Sequence, residues 1–213
     1  MQSRIKVTIV DDHSVVRSGL VKILSDEPDM EIVAEANGYT ELRKSLTETV
    51  PNIILLDISM PGKNGLEILK ELKDNNPDIK VLVLSMHPED RFSVRSIKAG
   101  ASGYLTKESA PEELVDAIRQ VHANGKFITL SLAERLMNSF EKDSNKLPHE
   151  KLSDREFQIL CLIASGSKIK EIAEKLFLSP ATIATYRARV MEKMQLRSNV
   201  DLTNYAIRNN LIE

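Results

Sequence analysis

A chain of 213 residues, 42% apolar and 28% charged, has a globular make-up with room for one domain or two, and is neither fibrous nor low-complexity. Cys161 is the single cysteine, no apolar run approaches the ~20 residues that span a bilayer, and the N-terminus lacks a signal-peptide core, so a cytoplasmic protein without disulfides or a membrane partner is expected. The formal net charge of −2 is unevenly shared, with 19 Lys and Arg against 24 Asp and Glu in residues 1–150 and 10 against 7 in residues 151–213, so an acidic front and a basic back look to different partners.

Strand and helix patterns alternate from residue 5. An apolar run at 5–10 (IKVTIV) reads as a buried strand and leads into helical spacing over 14–25. The pairing recurs as 31–36 (EIVAEA) with 39–48, 52–56 (NIILL) with 64–75, 80–85 (KVLVLS) with 89–98, and 102–105 (SGYL) with 111–122. Short, almost wholly apolar strands, each followed by a helix, predict an α/β unit with a parallel sheet covered on both faces. Beyond His122 the pattern changes to a short amphipathic piece at 130–140 and then a polar run, EKDSNKLPHEK, which reads as a flexible linker. The expected division is 1–123, a linker with a short helix at 124–149, and an all-helical unit at 150–213. In that last unit Ser153 with Glu156 makes a capping box, Ser167 is expected to cap 168–177, Ser179-Pro180 opens 180–195, and a final helix covers about 199–209.

Ligands of an open parallel sheet sit beyond the C-terminal strand ends, where the strand order reverses. This chain places Asp11-Asp12 after the first strand, Asp57 at the end of the third, Ser85 at the end of the fourth and Lys107 after the fifth. Three acids that close repel one another unless a cation joins them. Hard oxygen ligands in an open, water-accessible site suit Mg2+. With the metal and Lys107 supplying positive charge, Asp57 can attack a phosphorus centre, and Ser85 can hydrogen-bond the product phosphate. The four histidines show no ligand spacing and Cys161 lies in a core-like helix, so neither is expected to carry chemistry.

VDDH (10–13), LLDISMPGKNG (55–65), LSMH (84–87) and GYLTK (103–107) make nearly all of residues 4–122 resemble the receiver domain of bacterial two-component response regulators. The resemblance implies a doubly wound, flavodoxin-like fold in which a sensor histidine kinase phosphorylates Asp57. It implies that Asp12, the Asp57 side chain and the Ser59 carbonyl hold Mg2+, with Asp11 assisting through water. Lys107 becomes the phosphate-binding cation, and Ser85 with Tyr104 the pair that moves on phosphorylation. Such a protein is a phosphoacceptor, able to catalyse its own phosphorylation and dephosphorylation, and not a turnover enzyme.

LSDREFQIL (152–160), GSKIKEIAEKLFLSPATI (166–183) and RVMEKMQLRSNVDL (189–202) resemble the LuxR-type helix-turn-helix module, and the whole chain resembles the NarL/FixJ class of response regulators. This implies a four-helix domain that binds double-stranded promoter DNA as a phosphorylation-dependent homodimer, with RNA polymerase as a further partner. On the helix at 180–195, Ile183, Tyr186, Val190 and Met194 keep core spacing, while Ala181, Ala184, Thr185 and Ala188 form a small uncharged stripe. Arg187 and Arg189 stand about 100° to either side of Ala188, placed to reach phosphates while the stripe meets the groove floor. The expected DNA-contacting set is Lys168, Lys170, Thr182, Ala184, Thr185, Arg187, Ala188 and Arg189. The family often has Lys at Ala184, His at Tyr186 and Ser-Asn at Lys168-Ile169, so base preference does not carry over from it. The stripe has two readings, thymine-methyl contact through Ala and Thr or packing on another helix.

Two other classes compete. A haloacid-dehalogenase-like phosphatase also uses an aspartyl phosphate, but it has Asp-x-Asp after the first strand where this chain has Asp11-Asp12-His13. A protein-binding adaptor would keep the α/β half and lose DNA contact in the helical tail.

Overall fold

A computed structural model describes residues 4–86, 89–141 and 147–212, and the chain divides into two compact units, 1–135 and 136–213. In the first unit the apolar runs form β1 (Ile5–Val10), β2 (Met30–Ala36), β3 (Ile53–Asp57), β4 (Lys80–Ser85) and β5 (Gly103–Thr106). They make one sheet in the order β2-β1-β3-β4-β5, with every neighbouring pair parallel. The intervening segments are α1 (Ser14–Ser25), α2 (Tyr39–Glu48), α3 (Gly65–Asn75), α4 (Glu89–Lys98) and α5 (Ala110–Asn124). This is the doubly wound arrangement the alternation predicts. The central strand β3 is buried at all five positions, Asp57 included, which is why it needs no polar alternation. Among the described residues, edge strand β2 pairs with β1 alone, and it is only partly buried between its ends.

Most elements begin and end within a residue of the sequence expectation, and two departures have local reasons. Helix α5 runs from Ala110 to Asn124 because Pro111 suits its first turn and Gly125, at φ 79°, closes it in the left-handed region. Ser167 is not the cap of the second helix in the basic half. Its N–H is spent on the Leu162 carbonyl at 3.1 Å, in the turn that ends the preceding helix. Lys168 takes the cap position instead, and the Glu171 carboxylate accepts from its N–H at 2.9 Å. A carboxylate three residues into the helix satisfies the entry, so no hydroxyl is needed.

Helix α6 (Leu130–Glu141) follows α5, and the division between the units falls within it, after Arg135. Of the polar run read as a linker, residues 142–146 lie outside the described residues, and Pro148–Lys151 form a 3-10 turn. The second unit holds α7 (Asp154–Ala164), α8 (Ile169–Leu176), α9 (Pro180–Met194) and α10 (Asn199–Arg208). Their core includes Phe157, Leu160, Ile163, Ile172, Leu176, Ile183, Val190 and Leu202, and Cys161 is buried among them. Residue His149 of the turn docks on that core, its Nδ1 2.8 Å from the Tyr205 hydroxyl and its ring 6.1 Å from that of Phe157. The capping box at Ser153 and Glu156 and the Ser179-Pro180 start are as expected. Among the described residues no helix is long and apolar enough to cross a membrane.

Candidate functional site

The strand order reverses between β1 and β3, and their adjoining C-terminal ends carry the acids. Asp57 is fully buried at the last position of β3, and Asp11 is 1% exposed just beyond β1. Lys107, the residue after β5, reaches across both. Its Nζ lies 2.6 Å from Asp57 Oδ2 and 2.6 Å from Asp11 Oδ2. The Lys107 N–H extends the β4–β5 ladder by donating to the Ser85 carbonyl at 2.7 Å, so the sheet itself delivers the ammonium. The Ser59 N–H donates to Asp57 Oδ1 at 2.7 Å, and the His13 N–H donates to Asp11 Oδ1 at 2.9 Å. Arg17 adds a bond from Nη1 to the Asp11 carbonyl at 2.7 Å.

Burial raises the Asp57 pKa above the ordinary carboxylate value. Lys107 and the Ser59 N–H oppose that rise, and the Asp11 charge adds to it. Burial also pulls the Lys107 ammonium down, but Asp57 and Asp11 more than offset it, so its pKa stands above the usual lysine value. One ammonium thus faces the acids Asp11, Asp12 and Asp57, leaving an excess of negative charge. A divalent cation is the natural complement of that excess, and oxygen donors with Asp12 on the partly exposed side fit Mg2+. Asp11, Asp12, His13 and Asp57 each offer a donor atom, all within 4.8 Å of one another.

The loop after Asp57 is held from two sides. The Asn64 side chain caps α3, accepting from the Leu66 N–H at 2.8 Å. Gly65 lies so close to the chain leaving β3 that a Cβ there would stand 2.3 Å from Ile58 Cα and 2.9 Å from the Asp57 carbonyl. Lys63 pairs with Glu71 of α3, which also accepts from the Tyr39 hydroxyl of α2, and the Lys63 ammonium sits 4.0 Å from the Tyr39 ring centre.

In the second unit α9 buries Ile183, Val190 and Met194 and exposes Ala181, Ala184, Thr185, Ala188 and Arg189. The Thr185 hydroxyl donates to the Ala181 carbonyl at 3.0 Å, so its bond is made within the helix. Arg187 is half-buried, and its Nε donates to Asn199 Oδ1 of α10 at 2.9 Å. Lys168 and Lys170 are exposed at the start of α8, and Thr182 is paired with the cap Ser179 at 2.8 Å.

Comparison with known proteins fits both halves. Residues 7–119 match the response regulator receiver domain, and residues 150–206 match the bacterial regulatory proteins of the luxR family. The response regulator GacA of Pseudomonas aeruginosa is 40% identical over 210 residues, 98% of each chain. UvrY of Escherichia coli is 37% identical, covering 97% of this chain and 95% of its own. Among solved structures, RcsB of Salmonella typhimurium aligns over 97% of this chain and 98% of its own, at TM-score 0.69 and 25% identity. An RcsB–DNA complex aligns over 99% and 100%, at TM-score 0.58 and 27% identity. This chain is a response regulator of the NarL/FixJ class.

In this response regulator the receiver brings Asp11, Asp12, Asp57 and Lys107 together, with Ser59 hydrogen-bonded to Asp57. Ser85 and Tyr104 are both fully buried on neighbouring strands, where Tyr104 lies opposite Val83 and Ser85 opposite Thr106. His87 of the LSMH stretch lies outside the described residues. The DNA-binding module puts the small stripe of α9 on its surface, but it does not leave its two arginines equivalent, because Asn199 holds Arg187. His13 escapes a reading based on spacing between histidines, since its potential co-ligands are carboxylates, the preceding Asp11 and Asp12 and Asp57 of β3. The clamp of Lys63, Glu71 and Tyr39 has no sequence signature at all.

Proposed function

We propose that a sensor histidine kinase phosphorylates Asp57, and that the phosphorylated chain pairs as a homodimer on double-stranded promoter DNA. The bridging of Asp57 and Asp11 by Lys107 carries this reading, because it sets a fixed cation against buried carboxylates at the reversal of strand order. A carboxylate oxygen of Asp57 attacks the phosphohistidine phosphorus. The O–P bond forms as the P–N bond breaks, and the bonding pair returns to the kinase imidazole. Lys107 then transfers its hydrogen bond from a carboxylate to a phosphoryl oxygen. Asp12, Asp57 and the Ser59 carbonyl would hold Mg2+, with Asp11 assisting through water, and the bound ion would supply further positive charge to those oxygens. Water admitted to the same pocket attacks the phosphorus, the Asp57 O–P bond breaks with its electron pair returning to the carboxylate, and inorganic phosphate leaves, so the receiver catalyses its own dephosphorylation as well as its phosphorylation.

Ser85 and Tyr104 form the switch. Drawing the Ser85 hydroxyl toward a phosphate changes the packing beside Tyr104, and the β4–β5 side of the receiver then favours pairing. The paired modules present two α9 helices to two half-sites. Ala181, Ala184, Thr185 and Ala188 meet the groove floor, while Arg189, Lys168 and Lys170 reach phosphates. The protein works in the cytoplasm and acts on transcription beside RNA polymerase. Intact-mass measurement after treatment with a small phosphodonor and Mg2+ tests the chemistry. One added phosphate on the wild type and none on Asp57→Asn is expected, and equal labelling of both overturns the assignment. Sedimentation with beryllofluoride tests pairing, and an unchanged dimer fraction at every concentration overturns that step.

A further inference from the structure

Residue His13 is oddly chosen for its place. It is the N-cap of α1, where Ser, Thr, Asp or Asn would satisfy an unpaired helix N–H, and its side chain makes no cap hydrogen bond. The imidazole turns instead to the acids, with Nδ1 3.1 Å from Asp12 Oδ1 and 3.4 Å from Asp11 Oδ1. Its backbone N–H is bound to Asp11, which fixes the base of the side chain beside the pocket. The side chain is 58% exposed, so it stands on the solvent side while Lys107 and the buried carboxylates occupy the inner side.

Opposite ligands of an octahedral ion with 2.0–2.1 Å bonds are about 4.2 Å apart. Donor atoms of Asp12, His13 and Asp57 lie within 4.8 Å of one another, with Asp11 beside them, and need only a small contraction to share such an ion. Two of these donors are carboxylates, which any hard cation accepts. The third is an aromatic nitrogen, which Mg2+ disfavours and which first-row ions bind more readily, Mn2+ the least strongly of that row. We propose that His13 is a specificity-determining ligand of the receiver's cation pocket, its imidazole nitrogen giving the pocket a preference for Mn2+ over Mg2+. The proposal rests on the reading of this pocket as the divalent-cation site. It means that Mn2+ at lower concentration than Mg2+ supports phosphorylation of Asp57.

The test is Mn2+ binding to the full chain, followed by electron paramagnetic resonance, with Mg2+ as competitor and with nitrogen modulation of the electron spin echo as the structural readout. His13→Ser is the variant, because Ser is a favoured N-cap that protects the fold and is too short to reach the ion. The expected result is one Mg2+-displaceable Mn2+ per chain with nitrogen modulation in the wild type. In His13→Ser the modulation disappears and Mn2+ affinity falls about 10-fold or more, the scale on which ligand-shell changes act, while Mg2+ affinity stays nearly constant. One displaceable Mn2+ without nitrogen modulation overturns the role of His13 and leaves the pocket standing, as does an unchanged ion preference in His13→Ser. No displaceable Mn2+ in the wild type overturns the cation-pocket reading beneath it.

Discussion

Replacing Gly65 by Ala adds one methyl group at the junction of the phosphosite loop and α3. The added Cβ would stand 2.3 Å from Ile58 Cα, and ordinary contact begins at 3.4 Å, so the two backbones must separate by about 1.1 Å. No side-chain rotation relieves the contact, because the opposing atoms belong to the main chain. Inserting a methyl into a packed site costs typically 1–3 kcal/mol, and a backbone-to-backbone clash puts this variant near the upper end, at about 3 kcal/mol. For a unit of this size that corresponds to a melting point lower by about 10–15 °C. The displaced segment includes the Asp57 carbonyl and leads to the Ser59 N–H, which holds Asp57 Oδ1 at 2.7 Å. A misplacement of about 1 Å at a reacting group costs on the order of 100-fold in rate. Thermal unfolding and the time course of intact-mass labelling by a small phosphodonor measure the two effects. A melting point within about 2 °C of the wild type, or an unchanged labelling rate, would show that the loop gives way freely and refute the packing rationale.

Glu156 is buried in the second unit. Desolvation raises its pKa, but the Lys193 hydrogen bond at 2.7 Å and the Ser153 contacts outweigh burial and leave it lowered. Its stabilising contribution is therefore present above the unfolded value near 4.5 and is lost as pH falls through the lower folded value. Glu156→Gln should cost about 1–2 kcal/mol at pH 7, allowing for the half-exposed lysine, and urea midpoints of the two proteins should converge in acid. A gap that is constant with pH would contradict this. Arg189→Ala should reduce the salt slope of DNA binding by about 1, whereas Arg187→Ala should chiefly destabilise the second unit because Asn199 holds that guanidinium. Titrations on duplexes at several salt concentrations separate the two, and equal slopes for both variants would reject the distinction. Lys63→Met removes a partly exposed ion pair and the contact with the Tyr39 ring, so it should cost about 0.5–1.5 kcal/mol by urea denaturation; a loss above about 3 kcal/mol would mean the clamp supports far more than its loop.

Much of this protein is written locally. Strands buried on both faces must be apolar throughout, so IKVTIV, NIILL and KVLVLS disclose a parallel sheet, and an acid ending such a run discloses a site. Ser153 with Glu156, and Ser179 before Pro180, mark helix starts because the groups they satisfy lie within one turn. What the tertiary structure alone decides involves residues far apart in sequence. Lys107 meets Asp57 across fifty positions and Asp11 across a longer span, and only the β1–β3–β4–β5 order brings them to one point. Gly65 is required by the return of Ile58 against the helix start. Arg187 looks like a free cation on a helical wheel, yet Asn199 of another helix binds it. Periodicity gives the face on which a side chain stands, whereas its bond is set by whatever partner the fold brings within about 3 Å.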